Sequence, residues 1–178
     1  MIKKKSVREL LGESLSELLK SKSFEKITVN EIAENCGVGR RTFYNNFRDK
    51  YDLATWLYIK QLNEFIDSRN DACLTEFIRY STEIVDKDIQ LIIALDKYRG
   101  QNSFRESLTD PMTDAYVRVI ETYHGIKVDE EMRKDIRFFI CGQIAYVAGI
   151  LDKPTVPTPE AVTAFFIRCI PESLKQFI

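Results

Sequence analysis

The sequence predicts an all-α fold, with three short N-terminal helices joined to a C-terminal helical bundle. Nearly every segment repeats its apolar residues at a spacing of three or four, and no segment alternates as a half-buried strand would. Glycine and proline fall between the periodic segments, where breaks between helices are needed. We place the boundary between the two domains after residue 50, which gives domains 1–50 and 51–178.

The first two helices begin at recognisable capping boxes. In the stretch Ser6-Val-Arg-Glu9, the serine hydroxyl and the glutamate carboxylate can each bind a free backbone N–H. The stretch Thr28-Val-Asn-Glu31 has the same pattern and predicts a second helix over residues 29–36. The apolar face of the first helix comprises Val7, Leu10, Leu11, Leu15, Leu18 and Leu19.

The pattern of residues 29–48 is typical of a helix-turn-helix. Gly37 lies where the chain must turn sharply, since glycine takes a positive φ without steric cost. A third helix follows over residues 40–47, with Gly39 as its N-cap. We expect the core of this motif to contain Ile32, Ala33, Gly37, Val38, Phe43 and Phe47. An ordinary helical hairpin with a glycine turn is the alternative.

Charge is distributed unevenly along the chain, although the net charge is only −1. Residues 1–60 hold 12 Lys and Arg against 8 Asp and Glu, a net charge of +4, and the remainder holds 14 against 19, a net charge of −5. A basic N-terminal part joined to an acidic body favours an N-terminal DNA-binding unit with a different task behind it.

The predicted third helix has one apolar and one polar side. At 100° per residue, Phe43 and Phe47 share the inner side, Arg41 and Asn45 point the opposite way, and Arg40 lies at the helix tip. Arginine can bind guanine, and asparagine adenine, through two hydrogen bonds. The sequence therefore predicts DNA base contacts from Arg40, Arg41 and Asn45, and phosphate contacts from Thr28, Thr42, Tyr44, Asn46 and Lys50. For any single arginine, a solvated surface charge is the alternative.

The rest of the chain is predicted to be helical as well. Asp49 can cap a long fourth helix that runs from Lys50 toward Arg69. Further helices are expected near residues 71–86, 88–98, 103–124, 129–151 and 158–170. Pro111 is expected to split or kink the helix over residues 103–124.

The positions of the cysteines and the hydropathy of the chain restrict the class of protein. Cys36, Cys73, Cys141 and Cys169 lie far apart and form no CxxC pair, so neither a zinc site nor a disulfide framework is indicated. Their apolar neighbours favour buried free thiols in a reducing cytoplasm. The longest apolar stretch, residues 136–151, is too short and too polar to span a membrane. We expect a cytoplasmic protein with no metal and no cofactor.

The two last long helices are too apolar to be covered by one chain. Residues 136–151 are apolar on almost every side, so this helix needs packing on both flanks. We expect the two helices to pair with their symmetry mates into a four-helix dimer interface that contains Gly142, Ala145, Gly149, Val162, Phe165, Phe166 and Cys169. A fully buried central helix in a monomer is the alternative.

The N-terminal third of the chain resembles the tetracycline-repressor family of bacterial transcription regulators. The residues that carry the resemblance are Ile27-Thr-Val-Asn-Glu-Ile-Ala33, Gly37-Val38, Thr42-Phe-Tyr44, Phe47, Lys50 and Leu53. There are two departures from the family pattern: Gly39 stands where relatives often have a capping serine, and Asn46 stands in place of a histidine. Asn46 can still bind a phosphate through a hydrogen bond, but it carries no charge.

The resemblance implies a homodimer that binds double-stranded DNA at a palindromic operator, and we expect a repressor that a small-molecule inducer releases. A family-type ligand cavity would lie among the body aromatics Trp56, Tyr80, Tyr98, Phe104, Tyr116 and Phe139. The body is short for the family. It resembles in size the regulators of dihydroxyacetone kinase operons, which respond to a protein partner instead, and this alternative stays open.

Two other classes of protein fit less well. An enzyme is disfavoured, because one histidine allows no histidine pair and the sequence has no catalytic triad, no Gly-rich phosphate loop and no metal-ligand spacing. A structural DNA-bending protein without sequence preference would lack a defined operator, which a footprint would reveal.

Overall fold

The computed structural model describes residues 5–69, 71, 73–97, 104–151 and 153–178, and these residues form helices and no strand. The α-helices are α1 (Val7–Leu18), α2 (Val29–Asn35), α3 (Arg40–Tyr44), α4 (Lys50–Asp67), α5 (Leu74–Lys87), α6 (Ile89–Lys97), α7 (Phe104–His124), α8 (Glu130–Leu151) and α9 (Pro159–Arg168). Short 3₁₀ helices lie at Phe24–Lys26 and Glu172–Phe177. The predicted all-α fold is confirmed.

The chain divides into two compact units, Met1–Leu57 and Tyr58–Ile178, which we call the head and the body. The core of the head is formed by apolar side chains of the first four helices, among them Leu11, Leu15, Ile32 and Leu53, all fully buried. A β-carbon at Gly12 would lie 2.9 Å from the Trp56 ring. Glycine at this position therefore lets α1 pack closely against the first turns of α4.

In the body, α5 packs chiefly against α9, and α7 packs against α8. The Phe77 and Tyr116 rings meet edge to face at 5.1 Å in its core, where both side chains are fully buried. Ion pairs between Arg133 and Asp114 and between Arg137 and Asp110 join α8 to α7 on the surface. Neither pair stabilises the fold much, because exposed ion pairs are screened by water.

Helix α7 runs through Pro111 without a break, so the proline does not split it. A proline removes one backbone hydrogen bond, and packing of the helix along α8 can compensate for that loss. The prediction of buried thiols is wrong for Cys141 and Cys169, which are exposed. Both lie on the outer sides of their helices, which the sequence pattern alone did not distinguish. All four cysteines are free thiols.

Within the described part of the chain, no helix combines the length and the apolar character needed to cross a membrane.

Candidate nucleic-acid interface and body cavity

The turn between α2 and α3 is a Schellman motif built on Gly37. The Val38 N–H donates to the Ala33 carbonyl at 2.9 Å, and the Gly37 N–H donates to the Glu34 carbonyl at 3.0 Å. Gly37 has φ +72°, which a residue with a β-carbon adopts only with strain. This turn sets the direction in which α3 leaves α2.

The start of α2 is fixed by a complete capping box. The Thr28 hydroxyl accepts from the Glu31 N–H, and the Glu31 carboxylate accepts from the Thr28 N–H at 2.9 Å. Lys22 forms an ion pair with the same carboxylate. Hydrogen bonds from Lys22 and from Thr28 lower the pKa of Glu31 to about 2. The Thr28 hydroxyl, an expected phosphate contact, is thus engaged in the cap, although the residue is exposed.

Helix α2 is tied to α1 by a small buried polar network. Ser14 is 3% exposed and donates to the Ile32 carbonyl at 2.7 Å. Asn35 donates to the Ser14 hydroxyl at 3.2 Å. The hydroxyl is satisfied on both sides, so it orients α2 without an unpaired buried group.

Helix α3 turns an apolar side inward and a polar side outward. Phe43 is fully buried and Phe47 is 2% exposed, with their ring centroids 6.0 Å apart. Arg41 and Asn45 are exposed, and neither side chain has a hydrogen-bond or ion-pair partner within the described residues. Ile32 and Ala33 are buried against this inner side, and Val38 is half-buried.

Arg40 is exposed but not free. Its guanidinium lies 3.4 Å from the Asn30 amide oxygen and 3.3 Å from the Tyr44 hydroxyl, and 5.4 Å from the centroid of the Tyr44 ring. These contacts hold the side chain along the helix. Tyr44 itself is 46% exposed.

Helix α3 ends at Tyr44, three residues earlier than predicted. The Asn46 amide donates to the Thr42 carbonyl at 2.8 Å, and such side-chain bonds compete with the helical pattern. Gly39 offers no side-chain cap at the other end of the helix. Thr42 and Asn46 are half-buried, so part of each side chain remains accessible.

The ammonium group of Lys50 lies within the head, although the sequence predicted that it contacts a DNA phosphate. Its ammonium group donates to the carbonyls of Phe24, Glu25 and Ile27 at 2.8, 3.0 and 2.8 Å. An ammonium group has three N–H donors, so all are used within the head. Burial lowers the pKa of Lys50. The structure thus corrects this residue from DNA contact to a tie between α4 and the Phe24–Lys26 segment.

Two polar residues of this surface were missed in the sequence. Asn30 is exposed and binds Arg40; on a helix it lies about 160° around the axis from the buried Ile32, which was a signal for it. Arg8 lies over the aromatic side of the head, 4.5 Å from the centroid of the Phe47 ring. No local pattern marks that contact, because its two partners lie far apart in the chain.

The body contains a cavity of about 80 Å³. It is lined mostly by apolar side chains of α5 to α9, including Ile92, Leu108, Met112, Ile144, Val162 and Phe166. Among the polar lining groups are Tyr58, Asp96 and Gln143. Pockets that hold drug-sized molecules measure about 300–1,000 Å³, so this cavity is much smaller.

Of the six aromatic residues expected around a ligand, Phe104 lines the cavity. Tyr98 lies outside the described residues. The expectation is wrong for Trp56, which packs in the head against Phe47 at 5.5 Å. Tyr80, Tyr116 and Phe139 are not cavity-lining residues, because they pack on other rings: Tyr80 stacks on Phe65 at 4.4 Å, and Tyr116 lies between Phe77 and Phe139.

The residues expected at a dimer interface divide into two groups. Gly142, Ala145, Gly149 and Cys169 are exposed, and Phe165 is half-buried and stacks on Tyr146 at 4.4 Å. Val162 and Phe166 are only 5% and 4% exposed and line the cavity of their own chain, so this part of the expectation is corrected. Phe138, which the prediction omitted, is 82% exposed on α8.

No group of three or more His, Cys, Asp or Glu side chains that could hold a metal ion occurs in the part of the chain that the structure describes.

Comparison with known proteins agrees with this architecture. The family described as bacterial regulatory proteins, tetR family, matches residues 14–55. An HTH-type transcriptional regulator of Staphylococcus aureus strain USA300 is 34% identical over 139 residues, which cover 70% of this chain and 75% of the relative.

The HTH-type dhaKLM operon transcriptional activator DhaS of Lactococcus lactis strain IL1403 is 27% identical over 70 residues, 38% of this chain and 37% of the relative. The chain therefore matches little more than a third of that protein's length. The structure of Thermus thermophilus FadR, a TetR family repressor in complex with lauroyl-CoA, superposes with a TM-score of 0.68 at 14% identity, over 92% of each chain. At that identity the likeness concerns the fold.

Proposed function

This chain belongs to the tetR family of bacterial regulatory proteins, and from that premise we propose that it represses transcription as a homodimer on a palindromic operator. It is a DNA-binding transcriptional regulator. We assign DNA recognition to residues 1–50, and dimerisation and response to a signal to residues 51–178, with the chain acting on DNA in the cytoplasm.

The observation that carries the proposal is the outer side of α3. Arg41 and Asn45 are exposed and unpaired within the described residues, and the opposite side of the helix is anchored by the buried Phe43. A cation and an amide held outward on a short anchored helix are the groups that read guanine and adenine in the major groove. Arg40 supplements them once DNA displaces its weak contact to Asn30.

Phosphate contacts are assigned to groups that flank α3 and keep free hydrogen-bonding capacity. Thr42, Tyr44 and Asn46 are partly exposed beside the base-reading residues. Thr28 is exposed at the N-terminus of α2, but its N–H and its hydroxyl both donate to the Glu31 carboxylate, so a phosphate contact from Thr28 requires the cap to open. Lys50 is excluded from this set, because its three N–H donors are used within the head.

The dimer is proposed to form through the exposed side of α8 and the outer side of α9. Phe138, Gly142, Ala145 and Gly149 recur at spacings of three or four along α8, and all are exposed. A β-carbon at Gly142 or Gly149 would meet nothing within 4 Å in the described residues, so a second helix can approach there. Two such copies would present two α3 helices to successive major grooves.

The signal is proposed to be a small molecule bound in the body cavity, whose binding lowers operator affinity by linkage. The related FadR structure contains lauroyl-CoA, which is far larger than the cavity of about 80 Å³ in this chain. We therefore do not propose lauroyl-CoA as the ligand of this chain, and we expect a much smaller effector.

A second candidate is activation in response to a protein partner. It is favoured by the small cavity and by the similarity of 70 residues of this chain to the operon activator DhaS. A purified body that binds a partner protein in a defined ratio, with no compound raising its melting temperature, would support this candidate.

The proposal is tested by selecting binding sites for the purified protein from random duplex DNA and footprinting the selected sequences. We expect a palindrome whose half-site centres are about 10–10.5 base pairs apart, or a multiple of that spacing. Affinity should fall steeply with salt, as phosphate contacts require. Recovery of no preferred sequence would contradict specific DNA recognition, and a site without twofold symmetry would contradict the homodimer.

A further inference from the structure

The wall of the body cavity contains a side-chain amide whose oxygen is hydrogen-bonded and whose nitrogen is not. Gln143 is 6% exposed and lines the cavity. Its Oε1 accepts from the Tyr116 hydroxyl at 2.9 Å. Its Nε2 is enclosed and has no hydrogen-bond partner in the part of the chain that the structure describes. Since Tyr116 holds the oxygen and does not line the cavity, the nitrogen is the end of the amide left for the cavity.

The Tyr58 hydroxyl is a second hydrogen-bond donor of the cavity wall without a partner among the described residues. Tyr58 is 7% exposed, lines the cavity and forms no hydrogen bond with any described residue. Burial raises the pKa of Tyr58, so its hydroxyl keeps its proton and remains a hydrogen-bond donor. Both unpaired groups can donate a hydrogen bond into the cavity.

The other side-chain hydrogen-bond donors of the wall already have partners. The Ser81 hydroxyl donates to the Ile78 carbonyl at 2.7 Å, and the Thr82 hydroxyl lies 2.7 Å from that of Thr163. Asp96 binds Arg105 through two hydrogen bonds of 2.6 and 2.8 Å. A molecule in the cavity therefore meets Tyr58 and Gln143 as its open hydrogen-bond donors, whereas the exposed Asp86 carboxylate can only accept.

Charge in the wall disfavours an anion. Asp86 and Asp96 both line the cavity, against one cation, Arg105, which Asp96 already holds. A carboxylate placed in this space would lose its hydration and face the Asp86 carboxylate, with no free cation to compensate it. An uncharged oxygen acceptor has neither disadvantage.

We propose that the body cavity binds a small, uncharged, largely apolar molecule whose carbonyl oxygen accepts hydrogen bonds from Gln143 Nε2 and the Tyr58 hydroxyl. The inference rests on the effector role proposed above and names the chemical class of the effector. A cavity of about 80 Å³ is smaller than the roughly 150 Å³ cavity that holds benzene in an engineered protein, so the ligand has on the order of five heavy atoms.

Three probes of nearly equal shape test this chemistry in the full chain. Butanone carries a ketone, propionate replaces one of its methyl groups by a charged oxygen, and 2-methyl-1-butene replaces the ketone oxygen by carbon. Binding is followed by NMR of the ¹⁵N-labelled protein, using the side-chain amide signals of Gln143, identified as those lost in Gln143→Met. We expect butanone to shift these signals saturably, and the other two probes to bind at least tenfold more weakly.

The variants separate recognition from folding. Gln143→Met should weaken butanone binding about tenfold, and Gln176→Met, at an exposed glutamine, should leave it unchanged. Ala148→Leu fills the cavity from an apolar wall position and should abolish binding with both donors still present. If Gln143→Met does not fold, Ala148→Leu carries the test.

Absence of a saturable shift would overturn the inference, since the two donors would then be satisfied by water alone. Equal affinity for the three probes, or unchanged butanone binding in Ala148→Leu, would overturn it as well. Operator binding is measured on the same samples without any probe. If the protein binds its operator but not butanone, this inference is wrong and the proposed DNA recognition still stands.

Discussion

Arg41 and Asn45 stand four residues apart on the outer side of α3. Helix α3 ends at Tyr44, but Asn45 keeps helical backbone angles of φ −73° and ψ −15° as its C-cap. Both side chains therefore leave the same side of the helix, about 5–6 Å apart at their β-carbons. Such a spacing lets two different groups read neighbouring base edges from one anchored helix.

Replacing Arg41 should weaken operator binding and relax the sequence preference together. Arg41→Ala is expected to cost about 1–3 kcal/mol for each half-site, the usual worth of a two-bond contact to a base. Arg41 makes no contact within the described residues, so the melting temperature of the protein should stay the same. Titration of the selected operator and of single-base variants by fluorescence anisotropy measures both effects.

The matched control for this change is Arg79→Ala, which removes an equal charge from an exposed arginine of the body. It should leave operator affinity unchanged. An Arg41→Ala protein that binds the operator and its base variants as the unsubstituted protein does would reject the assignment of Arg41.

Lys50 offers a test that distinguishes structure from DNA contact. Lys50→Met removes three hydrogen bonds from a charged donor to the carbonyls of Phe24, Glu25 and Ile27. We expect the free energy of unfolding to fall by about 2 kcal/mol, since hydrogen bonds of charged groups contribute about 1.5–3 kcal/mol and part of this site is solvated. Urea unfolding measures this change.

The salt dependence of DNA binding gives the opposing outcome. Loss of one phosphate contact lowers the slope of log affinity against log salt by about 1. If Lys50→Met lowers that slope and leaves stability unchanged, Lys50 contacts phosphate after all. Arg48→Met is a suitable comparison, because Arg48 is a neighbouring exposed cation outside the carbonyl cluster.

At the scale of elements, the start of α2 should make the stability of the head depend on pH in the acid range. The hydrogen bonds from Lys22 and Thr28 hold the pKa of Glu31 at about 2, below its ordinary value of 4.5. The unfolded chain then binds more protons than the folded one between these values, so stability rises with pH. The contribution is complete above pH 4.5 and is lost as the pH falls toward 2.

Glu31→Gln keeps a side chain that fits a capping box but cannot ionise. The difference in melting temperature between this variant and the unsubstituted protein should be larger at pH 6 than at pH 3. Glu34→Gln, an exposed change on the same helix and outside the box, serves as the control. A difference that does not vary with pH would exclude ionised Glu31 as a source of stability.

Elements that depend on local pattern could be predicted from the sequence, and groups that depend on distant partners could not. The capping boxes at Ser6 and Thr28 and the turn at Gly37 each involve residues within a few positions, so the sequence displays them directly. The predicted ends of the helices lie within a few residues of the ends in the structure. The family resemblance, drawn from the same local motifs, is confirmed.

The failures at the candidate sites concern contacts between separate elements. Lys50 reaches carbonyls more than twenty residues away, and Gly12 is required by Trp56 more than forty residues later. Helical periodicity marks both sides of α9 as apolar but cannot say which side its own bundle covers. That is why Val162 and Phe166 were placed at a partner interface when they in fact line the cavity.

At the scale of the whole molecule, the outer side of α8 is the strongest structural argument for a second copy. Phe138 is 82% exposed there, next to small residues that leave room for another helix. Burying a phenylalanine contributes about 1.5–3 kcal/mol, so a twofold interface, which buries two, gains twice that amount.

Phe138→Glu should therefore separate the copies without unfolding either. The side chain contributes little to the core of its own chain, so helicity and melting behaviour of the body should persist, whereas two carboxylates brought to the twofold axis oppose association. We expect sedimentation to show a dimer for the unsubstituted protein and a monomer for Phe138→Glu, with at least tenfold weaker binding to the full operator and no change for a single half-site. Ile126→Glu alters another exposed apolar residue and should leave the dimer intact. If the Phe138→Glu protein sediments as a dimer, the dimer interface lies elsewhere on the molecule. If the unsubstituted protein sediments as a monomer both free and on DNA, the proposed palindromic operator is wrong.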